Sequence, residues 1–283
     1  MVAMSLESAA KAEAAARRYY GTGDVDAFYA AVWGGEDIHT GVYAHEHESV
    51  ALASRRTVEL AAGKVADRLG PGSTVLDLGS GYGGPTRYLA GRFGCKVVAL
   101  IISESQNERH RRANAEQGLD GLIEVVTGSF QDIPYPAGYF DVVWSQEAFC
   151  HSGDRNQLLG EAVRVLEPRG DLVFTDLMAA DTAPPDALRA AVARLDVDGF
   201  ATPGFYRRTI AGLGLTRIDF DDRSDQTLTH YLRLTEETAR RAKELAGVIS
   251  PAYVQGLLQN LPLWVEACRK GLTSWGIFHC RRP

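Results

Sequence analysis

The stretch Thr74–Gly84 reads TVLDLGSGYGG. A β-branched, apolar start runs into Asp77, and Gly79, Gly81, Gly83 and Gly84 follow. Glycine lets the chain turn sharply and lets backbone N–H groups touch a ligand with no Cβ between them. In open α/β sheets the ligand cleft lies outside the carboxyl ends of the strands. This stretch therefore predicts a first strand and the loop that receives a ligand.

The pattern continues on the C-terminal side. Strands are predicted at Thr74–Leu78, Lys96–Ile101, Ile123–Thr127, Phe140–Trp144 and Asp171–Asp176. Helical periodicity fills Thr86–Phe93, Glu104–Gln117 and Arg155–Leu166 between them. Such alternation calls for an α/β fold, a parallel sheet with helices on both faces. Runs such as KVVALII suit strands buried on both sides. Before the first strand, helices are expected at 5–20, in DVDAFYAAVW and over Ser49–Leu69, the last stopped by Gly70-Pro71. After Asp176 the reading is helix at Asp186–Leu195 and Arg207–Leu213, and strand at Leu215–Phe220. Leu234–Arg269 follows as helix cut at Ser250-Pro251 and Leu261-Pro262, and SWGIFHC (Ser274–Cys280) as a last strand. With no repeat or low-complexity linker, one domain is expected: a helical lid (1–70), a ligand-binding core (71–180) and cap helices with final strands (181–283).

Bulk properties narrow the class. The 283 residues carry a net charge of −6, which argues against a general nucleic-acid binder. The run Arg109–Arg112 reads as the solvated side of a helix. No apolar run is long enough to span a membrane, and MVAMSLESAAKAEAAARRYY lacks the apolar core of a signal peptide. Cys95, Cys150, Cys268 and Cys280 are scattered, as expected of reduced thiols in a cytoplasmic protein. His39, His45 and His47 stand near four acidic residues, but HxH spacing on a loop is a weak metal signal, and no metal is expected. A homo-oligomer is compatible with all of this.

Two ligands compete for the glycine loop. Gly79, Gly81 and Gly84 satisfy the dinucleotide pattern GxGxxG, and Gly79, Gly81 and Gly83 satisfy GxGxG after an acidic residue, as in methyltransferases that use S-adenosylmethionine. Asp77 favours the second. A carboxylate there would meet a pyrophosphate as like charge to like charge, whereas it suits the cationic methionine end of the methyl donor. The helices that precede the first strand point the same way. At the end of the second strand, where Asp or Glu would hold ribose hydroxyls, stand Ile101 and Ile102. Ser103–Gln106 has the form of a capping box, and Ser103, Glu104 or Gln106 could replace the lost anchor.

At this point a resemblance enters. LDLGSGYGGPTRYLAGRFG, GSFQDIPY and RVLEPRGDLVFTD resemble class I methyltransferases. VWGGEDIHTGVY, WSQEAFCHS and the closing LTSWGIF resemble the glycine/sarcosine/dimethylglycine N-methyltransferase group within them, chiefly its sarcosine/dimethylglycine members. The likeness runs from about Tyr19 to Phe278. It implies a Rossmann-like seven-stranded class I methyltransferase sheet with an antiparallel last strand and helical cap additions. It also implies methyl transfer to a small secondary or tertiary amine. By motif matching, Asp77, Gly79, Gly81 and Gly83 would hold the methionine part, Ser129 and Phe130 the adenine, and Gln146 the region beside the sulfonium. The chain departs from the group at Ile101, where relatives carry Asn or Asp. The likeness is also weaker in Thr202–Tyr206 and Thr229–Leu232, which are expected to face the acceptor.

Methyl transfer from a sulfonium needs mainly a positioned nucleophile. Should a base serve, His151 is the candidate, with Tyr20 beside a Gly-Thr-Gly hinge as a lid residue. Tyr20, Trp33, Trp144 and Tyr206 could face a methylated ammonium, and Arg207 its carboxylate. An alternative acceptor is an indole, another aromatic or an isoprenoid of natural-product type. Arg207 turned inward favours the amino acid, and an apolar pocket the natural product. The remaining alternatives are a non-catalytic adenosine-binding protein and a dinucleotide oxidoreductase.

Overall fold

The computed structural model describes residues 11–15, 23–195, 197 and 199–283. Its centre is a seven-stranded sheet of order β3-β2-β1-β4-β5-β7-β6. The strands are β1 (Thr74–Leu78), β2 (Lys96–Ile101), β3 (Ile123–Thr127), β4 (Phe140–Gln146), β5 (Leu166–Ala179), β6 (Thr216–Asp222) and β7 (Thr273–Arg281). β7 runs antiparallel to both neighbours, and the pairings from β3 across to β5 are parallel. The chain reverses its direction of travel across the sheet between β1 and β4, so the loop after β1 stands at the switch point where such sheets hold ligands.

β1, β2 and β3 have the bounds their residue pattern predicts. β5 is longer than Asp171–Asp176: Leu166 pairs with Phe140 of β4 at its start, and β7 extends it past Asp176. Leu177, Met178 and Ala179 pair with Trp275, Ser274 and Thr273, a partnership made across almost a hundred residues. One apolar layer, with Leu158, Leu159, Phe174 and Phe278, covers one face of the sheet; another, with Val58, Ala61, Leu89 and Trp144, covers the other. A third cluster lies outside the sheet and joins Phe28, Tyr29 and Trp33 of the N-terminal helix 23–33, Tyr82 of the glycine loop, and Tyr231 and Trp264 of the late helices.

The late helices depart furthest from expectation. The helix predicted at Arg207–Leu213 is Pro203–Gly212: Thr202 caps it by accepting the Phe205 N–H at 3.2 Å, and Pro203 fits the first turn. Only Arg189–Val192 of the predicted Asp186–Leu195 is α-helical, continued by a 3-10 turn at Ala193–Leu195. The helix expected from Leu234 begins at Ser224 and runs to Leu245. Pro262 does not cut the helix Pro251–Arg269, whose buried Leu257, Leu261 and Trp264 hold it across the missing N–H. Ser103 precedes the helix Glu104–Glu116 but makes no capping hydrogen bond, so the capping box is not formed.

The glycine loop shows why its residue types matter. Gly79, Gly81 and Gly83 have φ of 74°, 53° and 80°. A Cβ on Gly83 would lie 2.0 Å from Nε2 of His110, which is fully buried. The basic run is thus only partly solvated: Arg111 and Arg112 are exposed, His110 packs against the loop, and Arg109 lies 4.3 Å over the Tyr82 ring. Gly83→Ala should destabilise the fold by about 1–3 kcal/mol through left-handed strain and the His110 clash. Adding His110→Ala should restore the steric part only, as urea unfolding of both variants will show.

Candidate active site

Two cavities meet under the cap. The first runs along the carboxyl edge of the sheet. Its walls include Asp77, Gly79, Gly81, Ile101, Ile102 and Gln106, and beyond them Ser129, Phe130 and Gln146. The second lies between the N-terminal helix and the late helices, among Phe28, Tyr29, Trp33, His230, Tyr231 and Trp264. Ile38, Glu147 and His151 line both.

The first cavity is polar where charge and hydrogen bonds can be used. Asp77 is buried, and its Oδ2 accepts the Thr86 hydroxyl at 2.6 Å. Burial pushes its carboxyl up to about 7, a cost that a cation beside it would relieve. Several buried polar atoms have no partner among the described residues: Gln106 Nε2, Gln131 Oε1 and both side-chain polar atoms of Gln146. Buried polar groups are normally satisfied, so an unsatisfied set in one cavity marks a ligand's place. An adenosine and a cationic amino-acid end fit this set of donors, acceptors and carboxylate.

Beside Ile101 the cavity wall carries Gln106. Ile101 is buried and lines the cavity but offers only apolar surface. Glu104 is turned away, accepting from Asn107, Arg111 and Thr127. Gln106, freed because the capping box is absent, brings a buried amide to the wall.

Gly83 departs from its expected role. It lies outside the cavity lining, and its bare α-carbon makes room for His110. Trp33 lines the second cavity and donates its indole N–H to the His39 carbonyl at 3.0 Å. Trp144 is fully buried in the sheet's apolar layer, away from either lining. Tyr206 is also fully buried, and its hydroxyl donates to Asp176 Oδ2 at 2.6 Å. The other oxygen, Asp176 Oδ1, accepts the Cys150 N–H at 3.1 Å, so Tyr206 supports the turn that carries His151 and does not reach an acceptor. Arg207, one residue on, is exposed and lies 5.4 Å over the Phe220 ring. The earlier start of its helix explains both: Tyr206 and Ile210 face inward and Arg207 faces out. Tyr20 lies outside the described residues. Of the two segments expected to face the acceptor, Thr229–Leu232 lines the second cavity through His230 and Tyr231.

Glu147 was not singled out by the sequence reading. It follows β4 with φ of 52°, a left-handed conformation that non-glycine residues seldom adopt and that clusters at functional sites. Its Oε1 accepts the Thr40 N–H at 2.6 Å and the Trp275 indole N–H at 3.0 Å, and its Oε2 accepts the Thr40 hydroxyl at 3.2 Å. Burial pushes its carboxyl up to about 8. His151 is pushed down to about 4 by burial. The signal available in the sequence was an acid next to Gln146 at the mouth of the cleft.

Known proteins decide what this geometry belongs to. A family model described as a methyltransferase domain matches residues 76–174. A sarcosine/dimethylglycine N-methyltransferase of Halorhodospira halochloris is 48% identical over 94% of this chain and 95% of its own. The chain belongs to the sarcosine/dimethylglycine N-methyltransferase family. A dimethylglycine N-methyltransferase of Parasynechococcus marenigrum is 40% identical over 99% of this chain and 100% of its own. A Galdieria sulphuraria crystal structure, provisionally assigned as a sarcosine dimethylglycine methyltransferase, superposes with a TM-score of 0.85 at 35% identity, covering 91% of this chain and 97% of that one. The sheet is therefore that of a class I methyltransferase, and the enzyme uses S-adenosylmethionine as methyl donor. Among the described residues no three His, Cys, Asp or Glu side chains are grouped to hold a metal ion, and no helix is long and apolar enough to cross a membrane.

Replacing Gln106 by Leu should weaken donor binding by about 3- to 10-fold, the worth of one hydrogen bond. Ile101→Asn should change little on its own but recover part of that loss in the Gln106→Leu background. Calorimetric titration of the single and double variants with S-adenosylmethionine checks both.

Proposed function

We propose that the enzyme methylates the nitrogen of a small secondary or tertiary amino acid of the sarcosine/dimethylglycine type. The observation that carries this is the joint at Glu147, where a donor cleft opens on an aromatic chamber beside a carboxyl group, in a chain 48% identical to an enzyme of that name. Arg207 faces outward and the chamber is largely aromatic, which on their own favour the natural-product acceptor. Likeness over the full length of the relatives outweighs it, and the natural-product acceptor is the weaker reading.

When bound, S-adenosylmethionine supplies an already activated methyl group. Asp77, the glycine loop and Gln106 hold it, with Ser129 and Phe130 at the adenine end and Gln146 nearer the second cavity. The chain's own task is to present an unprotonated nitrogen. An alkylammonium holds its proton to about pH 10. Glu147, at about 8, is a far stronger acceptor for that proton than His151 at about 4. Glu147 therefore takes the ammonium proton and frees the lone pair, and the aromatic rings of Tyr29, Trp33 and Tyr231 face the cation that results. His151 lines the joint and shapes it. The described helical segment 23–33 and the helices Ser224–Leu245 and Pro251–Arg269 act as lid and cap over the sheet, and the four free cysteines suit a reducing cytoplasm.

Below about pH 8 Glu147 holds its own proton and cannot accept the substrate's. For dimethylglycine methylation, kcat/KM should rise with pH and level off above about 8. Glu147→Gln should lose about 100-fold or more near neutrality. It should keep climbing past pH 8 as free amine becomes available. A wild-type profile that the glutamine variant reproduces would remove Glu147 from this role.

A further inference from the structure

A zwitterionic acceptor has a second charge, and the chamber must receive it. Among its described lining residues there is no lysine or arginine. It does hold His230, fully buried on the helix Ser224–Leu245. Nδ1 of His230 is 3.3 Å from the Gly41 backbone nitrogen, whose N–H donates to it, and 2.9 Å from the Tyr43 hydroxyl. A backbone N–H can only donate, so Nδ1 must carry a lone pair. The ring is neutral, because burial pushes it down to about 3. Its one proton is then on Nε2, and the tautomer is set by the protein. Nε2 is buried and has no partner among the described residues. An unspent N–H in a chamber wall is costly unless a ligand uses it.

The same strap sets Glu147 and His230. The Thr40 N–H holds Glu147, and the next amide, of Gly41, holds His230. Gly41 is needed for that approach, since a Cβ there would lie 2.5 Å from Cβ of Ala53. Trp33 closes the side of the imidazole, with ring centroids 5.0 Å apart.

We propose that His230 donates its Nε2–H to the carboxylate of the acceptor, and that Gly41 and Tyr43 fix the imidazole for this purpose. The proposal rests on the amino-acid reading above and names the residue that separates an amino acid from a plain amine. His230 is then a specificity residue acting on binding, and it leaves the methyl-transfer step alone.

The test compares dimethylglycine with N,N-dimethylethanolamine, which keeps the amine and lacks the carboxylate. His230→Phe keeps a ring but removes the donor. His230→Gln restores an N–H at the position of Nε2. His230→Asn keeps an acceptor for Gly41 but withdraws the donor from the chamber, and it serves where the phenylalanine variant fails to fold. His230→Phe or His230→Asn should raise KM for dimethylglycine by about 10- to 100-fold, as for a hydrogen bond to a charged group. Their kcat and affinity for S-adenosylmethionine should stay near wild type, and His230→Gln should recover most of the loss. Turnover of dimethylethanolamine should be unchanged. Equal effects on both amines, or no recovery with glutamine, would overturn the proposal. Calorimetry with glycine betaine and choline, in the presence of S-adenosylhomocysteine, reads the same preference without turnover. If the wild type methylates neither sarcosine nor dimethylglycine, the functional reading falls. The betaine preference then still decides His230: lost in the variants it supports the role, retained it excludes it.

Discussion

Two consecutive peptide amides organise this active site. Thr40 and Gly41 belong to a strap that passes between the sheet and the cap. The N–H of Thr40 is spent on Glu147, at the end of β4, and that of Gly41 on His230, on a helix nearly two hundred residues later. Each bond sets a state as well as a position. Glu147 is held in a left-handed backbone conformation with its carboxyl at the joint of the two cavities. His230 is left with a single proton on Nε2, which has no partner among the described residues. The strap is anchored in turn: the His39 carbonyl accepts from the Trp33 indole and from the Ser54 hydroxyl, and Thr57 donates to the Thr40 carbonyl. A loop so fully bonded holds Glu147 and His230 at fixed separation, as their proposed roles of base and donor require in an already activated reaction.

The donor side works on a different principle. Its wall is a set of unfinished interactions: a carboxyl kept partly protonated by burial, and glutamine amides with no partner. Each is costly in the bare protein, and in the proposed reading a cationic amino-acid end and an adenosine relieve it. Binding energy and electrostatic choice come from the same atoms, so a dinucleotide, which would place phosphate by Asp77, is disfavoured by the group that favours the sulfonium.

What could be read from the residues follows the range of the forces involved. β1 to β3 and the glycine loop were legible because short apolar runs, turn glycines and one acid act locally. The ends of β5 and the start of the helix at Ser224 were not, because partners far along the chain impose them. Tyr206 and Arg207 show how a small error spreads. Starting their helix at Arg207 instead of Pro203 hides the face each residue occupies, and the expected carboxylate ligand proves to lie outside. Trp144 was misplaced because an aromatic residue in a strand looks the same whether it faces a core or a cleft. Glu147 and His230 were missed as a pair because nothing local joins them; only the strap does.

The most direct measurement uses donor carrying a deuterated methyl group. The enzyme is offered sarcosine, dimethylglycine, indoles and prenyl diphosphates together, and products are read by mass spectrometry. The account predicts that the label appears on the nitrogen of sarcosine or dimethylglycine. Label found only on an indole or a prenyl carbon, or on none of the acceptors, would contradict it.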